Sequence, residues 1–190
     1  MSADERVALI LDAAYTCFTR HGVRRTTMDD IARAADMSRP AVYQHVRNKE
    51  DAFRRLVERM LQDALDASRE ALAQDGDLAT RLTGALRAKL GMVMRVWRDS
   101  PAHAAELLAV DARVSADLVA RYDESMRALL RDALQRSGHG PPAASVAELM
   151  MALTRGLEAD LTDPDTPLDL LRRGVELMIA GLSGRPEELS

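Results

Sequence analysis

Aromatic residues and cysteine are scarce in this chain of 190 residues, and both shortages exclude certain kinds of site. Phe, Trp and Tyr make up only 3% of the sequence, which argues against an aromatic cage for a flat cation. The single cysteine, Cys17, excludes a disulfide within the chain and leaves no second thiol to resolve an oxidised one. We therefore expect Cys17 to be a small core residue and not a redox sensor.

Long hydrophobic runs are also missing. The apolar stretches fall well short of the roughly 20 residues that a helix needs to cross a bilayer. The first residues, MSADERVALILD, are charged and amphipathic, and they lack the apolar core and cleavage site of a secretory signal. We expect a cytoplasmic protein that has no membrane partner.

Motifs for catalysis and metal binding do not occur. No two of the four histidines, which are His21, His45, His103 and His139, have the spacing of metal ligands on a helix. The sequence contains no HExxH, GxSxG, P-loop or GxGxxG motif. We expect no enzyme activity, no catalytic residue, no metal and no cofactor.

Apolar residues at helical spacing are abundant. Hydrophobic residues make up 47% of the chain, and no alternating, strand-like run stands out. Glycine and proline cluster at a few junctions, notably residues 75–77, 137–142 and 163–167. The pattern predicts an all-α protein of about nine helices.

The segment from Thr26 to Phe53 predicts two short helices joined by a tight turn, followed by a longer helix. Either threonine at its start can cap the first helix, with Asp29 or Asp30 as the carboxylate partner three residues on. The turn contains Asp36, which stands where a helix usually ends in a left-handed residue. This arrangement predicts a helix-turn-helix.

The second short helix carries side chains that have no core to pack against. Ser38 can cap it, and Pro40 falls in its first turn, where a missing N–H costs nothing. Val42 can pack inward. The polar, basic and aromatic side chains that point elsewhere are Arg39, Tyr43, Gln44 and His45.

The charge distribution agrees with a nucleic-acid partner. The whole chain has a net charge of -4, but Arg20 to Lys49 holds seven basic and three acidic residues. Residues 61–190 hold 15 basic and 21 acidic residues. A basic segment on an acidic body favours DNA binding by that segment, although solvated arginine-rich helices would give the same count.

The N-terminal third resembles the DNA-binding domain of the TetR family of transcriptional regulators. Departures are Asp36, where the family usually has Gly, and Val46, where it usually has Phe. The matching residues are Gly22, Thr26, Thr27, Ile31, Ala32, Ala34, Ala35, Met37, Ser38, Val42, Tyr43, His45, Lys49, Glu50 and Asp51. The resemblance implies a DNA-binding domain over residues 1–55 and a helical ligand-binding and dimerisation domain over residues 56–190.

The exposed face and the resemblance together predict eight DNA contacts. Arg39 and Gln44 should read bases, because arginine suits guanine and glutamine suits adenine. Lys49 lies at a helix N-terminus, against the preference of the helix dipole, which suggests a nearby phosphate. The full predicted set is Thr27, Ser38, Arg39, Pro40, Tyr43, Gln44, His45 and Lys49.

Two apolar stripes on the last two long helices follow i, i+3, i+4 spacing. They could be core within one chain, and the resemblance favours a four-helix dimer interface. The predicted interface residues are Val146, Leu149, Met150, Leu153, Leu157, Leu168, Leu171, Val175 and Met178. Such a dimer would place two recognition helices about 34 Å apart on a palindromic operator.

An effector pocket in the second domain is implied by the resemblance. Its candidate residues include methionines, which suit an adaptable apolar cavity but are also ordinary core residues. The candidates are Met94, Trp97, His103, Glu106, Tyr122 and Met126.

We therefore expect a homodimeric, ligand-responsive transcriptional repressor that binds a double-stranded DNA operator and an unknown small-molecule effector. The alternatives are a ligand-independent regulator or activator of the same fold, and a helical adaptor that binds protein through the exposed face.

Overall fold

The computed structural model describes residues 2–158, 161 and 165–183, and every regular element within them is an α-helix. The predicted all-α class and helix number are confirmed for these residues. In chain order the helices are α1 Ala3–Arg25, α2 Met28–Ala34, α3 Arg39–Tyr43, α4 Lys49–Ala73, α5 Leu78–Asp99, α6 Ala104–Val114, α7 Ala116–Arg136, α8 Ala143–Leu157 and α9 Asp165–Ser183.

Local side-chain hydrogen bonds explain where several helices begin. At the start of α1 the N–H of Glu5 donates to Ser2 Oγ at 3.1 Å, and the N–H of Ser2 donates to the Glu5 carboxylate at 2.6 Å. At the start of α5 the N–H of Thr80 donates to Asp77 Oδ1 at 2.7 Å. These bonds satisfy N–H groups that have no partner inside a helix.

The predicted breaks at residues 75–77 and 137–142 separate α4 from α5 and α7 from α8. Of the third predicted break, Asp163 and Pro164 lie outside the described residues. The boundary between α6 and α7 falls at Ser115, where no cluster of glycine or proline marks it. Arg54 explains this, because its guanidinium donates to the carbonyl of Val114 at 2.9 Å and to both carboxylate oxygens of Asp117.

The described residues form two compact units. The first combines Met1–Leu61 with Arg95–Ala120, and the second combines Gln62–Met94 with Arg121–Ser190. The first unit therefore includes α6, a segment that the sequence placed with the C-terminal region. The proposed boundary between functional domains near residue 55 stays a prediction.

The core of the first unit is apolar and lies between α1, α2, α3 and the start of α4. The rings of Phe18 and Phe53 meet edge to face, with centroids 5.6 Å apart. Cys17 is buried beside them, as expected, and this burial raises the pKa of its thiol. The smaller Val46, where a Phe was the usual residue, is also buried.

The second unit has a core of its own, made by α5, α7, α8 and α9. Its fully buried side chains are Leu82, Leu86, Leu90, Met126, Leu130, Leu134, Met150, Met151, Leu171 and Val175. A Cβ on Gly174 would lie 2.6 Å from Leu153, so this glycine permits the close approach of α8 and α9. Among the described residues, no helix combines the length and the apolar character needed to cross a membrane.

Candidate nucleic-acid interface

The cap of α2 is Thr27, which settles the choice between the two threonines. The N–H of Asp30 donates to Thr27 Oγ1 at 3.2 Å, and Thr27 donates its own N–H and hydroxyl to the Asp30 carboxylate. These two bonds hold the pKa of Asp30 below its usual range. Thr26 is buried instead, and its hydroxyl lies 2.8 Å from the carbonyl of Gly22 and 3.1 Å from that of Cys17.

The turn after α2 has the left-handed residue that the sequence predicted. Asp36 has a φ of 52°. The N–H of Met37 donates to the carbonyl of Ala32 at 3.0 Å, and the N–H of Asp36 donates to the carbonyl of Arg33 at 3.2 Å. These two bonds form a Schellman motif, so an aspartate here does not prevent the usual helix ending.

The second helix of the pair, α3, presents one face to solvent. Ser38 caps it by accepting the N–H of Ala41 at 3.3 Å, and Val42 is fully buried on its inner side. His45 is half-buried. The exposed side chains on and beside this helix are Ser38, Arg39, Pro40, Tyr43 and Gln44.

Arg39 has partners on both helices of the pair. Its Nε lies 3.2 Å from Oδ1 of Asp29 on α2, and its Cζ lies 5.5 Å from the centroid of the Tyr43 ring on α3. A hydrogen bond to Tyr43, followed by the charge of Asp29, raises the pKa of Arg39. Sequence analysis assigned Arg39 to the site but did not identify Asp29, because the two residues are ten positions apart.

The position of Lys49 at the start of α4 is explained by hydrogen bonds within the protein, which the sequence did not reveal. Its ammonium donates to the carbonyls of Arg24 at 3.1 Å and Thr26 at 2.9 Å, where α1 ends. Carbonyls at a helix C-terminus attract a cation, so the inference from the α4 dipole to a phosphate is not required. Contacts of Lys49 and Thr27 with phosphate stay predictions, and both donors of Thr27 already serve Asp30.

The start of α4 has a side-chain cap. Asn48 Oδ1 accepts the N–H of Asp51 at 2.8 Å, as expected of a cap. The Asp51 carboxylate, however, accepts the N–H of Arg47 at 2.8 Å. Burial opposes the ionisation of Asp51, but Arg47 and Arg55 hold its pKa below the usual range.

The α5–α6 junction is hydrogen-bonded to α1 within the first unit. Tyr15 donates its hydroxyl to Asp99 at 2.7 Å, and Ser100 donates to the carbonyl of Thr19 at 2.7 Å. Further along, Glu106 Oε1 accepts the backbone N–H of Arg24 at 2.9 Å. Helix α1, which precedes the helix-turn-helix, is therefore held by residues 80 or more positions away in the chain.

The predicted effector residues are divided between the two units. Trp97, His103 and Glu106 belong to the first, whereas Met94, Tyr122 and Met126 belong to the second. His103 and Glu106 do share one side of α6, with 4.0 Å between His103 Nδ1 and Glu106 Oε2. Glu106 also lines a cleft of about 490 Å³ in the first unit, together with Arg24, Lys49, Arg113 and others.

In the second unit, the predicted effector residue Tyr122 has a buried hydroxyl that lacks a hydrogen-bond partner among the described residues. Its side chain is 5% exposed. Burial raises its pKa, and the nearby carboxylates of Asp123 and Glu158 add to the effect. Glu158 itself is bound to the buried ammonium of Lys89.

The nine predicted interface residues differ in burial within a single chain, and their place in a dimer stays a prediction. Val146, Met150, Leu171 and Val175 are buried in the core of a single chain, so they have almost no area to offer a partner. Leu153, Leu157, Leu168 and Met178 are half-buried, and Leu149 is exposed.

Two exposed leucines on α9 were missed by the sequence analysis. Leu177 is 73% exposed and Leu170 is 47% exposed. They lie seven residues apart on one face of α9, and Gly181 follows four residues after Leu177. This spacing could have been found by extending the apolar stripe around the helix.

The geometry of the first unit defines a class of protein, because a capped α2, a tight turn and an α3 with a polar outer face form a helix-turn-helix. Residues 10–56 match the family model described as bacterial regulatory proteins, tetR family. Residues 10–56 therefore carry a DNA-binding domain of the kind found in this family.

Individual relatives match mainly in the N-terminal region. The HTH-type transcriptional regulator YfiR of Bacillus subtilis is 42% identical over 62 residues, which cover 33% of this chain and 30% of YfiR. The HTH-type transcriptional activator FasR of Mycolicibacterium smegmatis is 33% identical over 85 residues, or 45% of this chain and 39% of FasR. The matching part thus spans only about a third of each relative's length.

Similarity of fold to solved structures covers more of the chain than the sequence matches do. A solved structure of SmeT in complex with triclosan superimposes with a TM-score of 0.68, covering 98% of this chain and 99% of that one. Their sequence identity is 23%. The comparison shows a shared fold over the full length of the chain.

Proposed function

We propose that this protein is a homodimeric transcriptional regulator that acts in the cytoplasm, binds a palindromic operator through α3 and responds to a small molecule. The observation that carries the proposal is the outer face of α3. Its polar and basic side chains are exposed, while the opposite side is anchored by the buried Val42. A short helix presented in this way fits the major groove of DNA.

DNA binding is the part of the proposal with the simplest test. A selection from random duplexes should yield a palindromic consensus, and Gln44→Ala should relax preference at one or two base pairs per half-site, each by about 1–3 kcal/mol. The same consensus from wild type and variant would remove Gln44 from the readout. A protein adaptor, the rival function, would retain no duplex sequence in preference to another.

Dimerisation is supported by exposed apolar side chains of the second unit. Leu149 on α8 and Leu170 and Leu177 on α9 leave large hydrophobic surfaces in water in a single chain. Contiguous exposed apolar surface commonly marks an interface with another protein. Half-buried Leu153 and Met178 would add to the same contact.

Response to a ligand is supported by the buried hydroxyl of Tyr122. A buried donor without a partner is costly, and a bound ligand or water would remove the cost. A ligand that binds the native state raises its melting temperature, so a thermal-shift screen tests this part. Tyr122→Phe should weaken the response to any ligand that accepts this hydroxyl, and no shift with any compound would favour a ligand-independent regulator.

The last part of the proposal concerns whether the protein represses or activates transcription. We propose repression that is relieved when the ligand binds a DNA-incompetent state more tightly than the DNA-bound state. FasR is named as an activator, so activation in the same fold is the alternative. A reporter placed behind the selected operator separates the two, since deletion of the regulator raises expression only under repression.

A further inference from the structure

The pair formed by Asp29 and Arg39 joins the two helices of the helix-turn-helix at the surface. The Nε of Arg39 lies 3.2 Å from the Asp29 carboxylate, and the side chains are 59% and 55% exposed. An ion pair so exposed contributes little to folding stability. Its main physical consequence is that it restricts the orientation of the Arg39 side chain.

The nitrogen atom of Arg39 that lies near Asp29 determines which other nitrogen atoms of the guanidinium group can face DNA. A guanidinium group is planar and carries five N–H donors in a fixed geometry. Asp29 lies on the Nε side of the group and the Tyr43 ring lies beside it, so the two Nη atoms are the donors that the group can offer to a base. Two parallel donors of this kind match O6 and N7 of guanine in the major groove.

Ordering a long side chain before binding lowers the entropy lost in the complex. A carboxylate close to DNA also repels the phosphates of any sequence. Asp29 should therefore strengthen the contact of Arg39 with its preferred base and weaken binding to unrelated DNA. Both effects increase selectivity.

We propose that Asp29 is a positioning residue that holds Arg39 for reading one guanine in each operator half-site. The proposal rests on the proposed DNA-binding function, and it adds a residue and a base preference to it. Asp29 itself makes no base contact in this scheme.

The test compares five full-length chains: wild type, Asp29→Asn, Asp29→Glu, Arg39→Lys and a control, Asp36→Asn. Asp36 lies in the turn of the same helix-turn-helix, and asparagine tolerates its left-handed backbone. The control thus removes one negative charge nearby while leaving the Arg39 pair intact. Each chain is first used to select a consensus from random duplexes. Affinities are then measured for that consensus, for a duplex with the guanine replaced, and for unrelated DNA.

We expect Asp29→Asn to lower the preference for guanine about twofold to fivefold, which is what an exposed ion pair can contribute and a fraction of a full bidentate contact. Affinity for unrelated DNA should rise in both Asp29→Asn and Asp36→Asn, but the control should keep its guanine preference. Asp29→Glu should restore most of the preference, because it restores the carboxylate. Arg39→Lys should lose the preference, since lysine lacks the planar pair of donors. Melting temperatures should be equal to within a few degrees.

The inference is overturned if Asp29→Asn selects guanine as strongly as the control does, or if Arg39→Lys keeps the wild-type consensus. A wild-type chain that selects no sequence at all overturns the proposed DNA-binding function together with the inference. A normal wild-type consensus combined with an indifferent Asp29→Asn overturns the inference alone.

Discussion

Glu106 on α6 accepts the backbone N–H of Arg24 at the end of α1, with 2.9 Å between Oε1 and the nitrogen. The other carboxylate oxygen lies 2.6 Å from the position that a Cβ on Gly22 would occupy. A residue 82 positions away thus completes the backbone hydrogen bonding of the helix that precedes the helix-turn-helix. The contact depends on two residues, Glu106 and Gly22, that can be substituted separately.

Replacement of Glu106 should destabilise the first unit. Glu106→Ala removes the acceptor of the Arg24 N–H, and we expect a loss of about 1 kcal/mol in the free energy of unfolding. Glu106→Gln keeps an oxygen acceptor and should cost less. Urea denaturation followed by the fluorescence of Trp97, the single tryptophan and a residue of the first unit, measures both. Equal stability of wild type and Glu106→Ala would show that the bond contributes nothing.

Substitution of Gly22 should cost more. Gly22 has φ 76° and ψ 158°, a backbone conformation that side-chain-bearing residues rarely adopt. Gly22→Ala adds this strain to the close contact with Glu106, and we expect a loss of about 2 kcal/mol or more. In a Glu106→Ala background the contact with Glu106 disappears, and the backbone strain and a looser approach of 3.3 Å to His103 Nδ1 are left. Denaturation of the four chains of this cycle should therefore give a smaller effect of Gly22→Ala in that background, and purely additive effects would rule out the steric part.

Glycine at position 36 should stabilise the protein. Asp36 adopts a left-handed conformation, which costs residues with a Cβ more than glycine. Asp36→Gly should raise the free energy of unfolding by about 0.5–1 kcal/mol, because the relief of strain exceeds the added entropy of the unfolded chain. Asp36→Ala serves as the control and should be destabilising. A less stable Asp36→Gly chain would mean that the aspartate side chain has a stabilising role of its own.

A charge on the outer face of α9 should separate the subunits without unfolding them. Leu177→Glu places the carboxylate at a position that is exposed in one chain, so the monomer should fold, but dimerisation would bury an unpaired charge at a cost of several kcal/mol. Val175→Ala is the control, since Val175 lies in the core of one chain. It should lower stability by about 2 kcal/mol and leave the dimer intact. Size-exclusion chromatography with light scattering checks both, and a dimeric Leu177→Glu chain would place the interface elsewhere.

Local sequence signals were sufficient to predict the helix-turn-helix. A cap such as Thr27 with Asp30, or Ser38 with Ala41, involves residues three apart, so its chemistry is visible in the sequence. The bond from Arg24 to Glu106 and the pair of Asp29 with Arg39 join different helices. No local pattern specifies such contacts, because they depend on how the helices pack.

Periodicity alone also could not separate the core from the exposed face in the last two helices. Val175 and Leu177 are both apolar residues of α9, two positions apart, yet the first is fully buried and the second is 73% exposed. Apolar residues cover more than one face of this helix, so the stripe predicts helical packing without showing which partner each side meets.

Sequence-selective binding of duplex DNA is the measurement that tests the central claim most directly. Fluorescence anisotropy should be recorded for the selected palindrome and for a scrambled duplex of equal composition, over a series of salt concentrations. We predict a preference for the palindrome of about 10³-fold or more, and a logarithm of the binding constant that falls linearly with the logarithm of salt. Gln44→Ala and Arg39→Lys should reduce the preference while leaving binding to the scrambled duplex nearly unchanged. Equal retention of both duplexes by the wild type at every salt concentration would contradict the account.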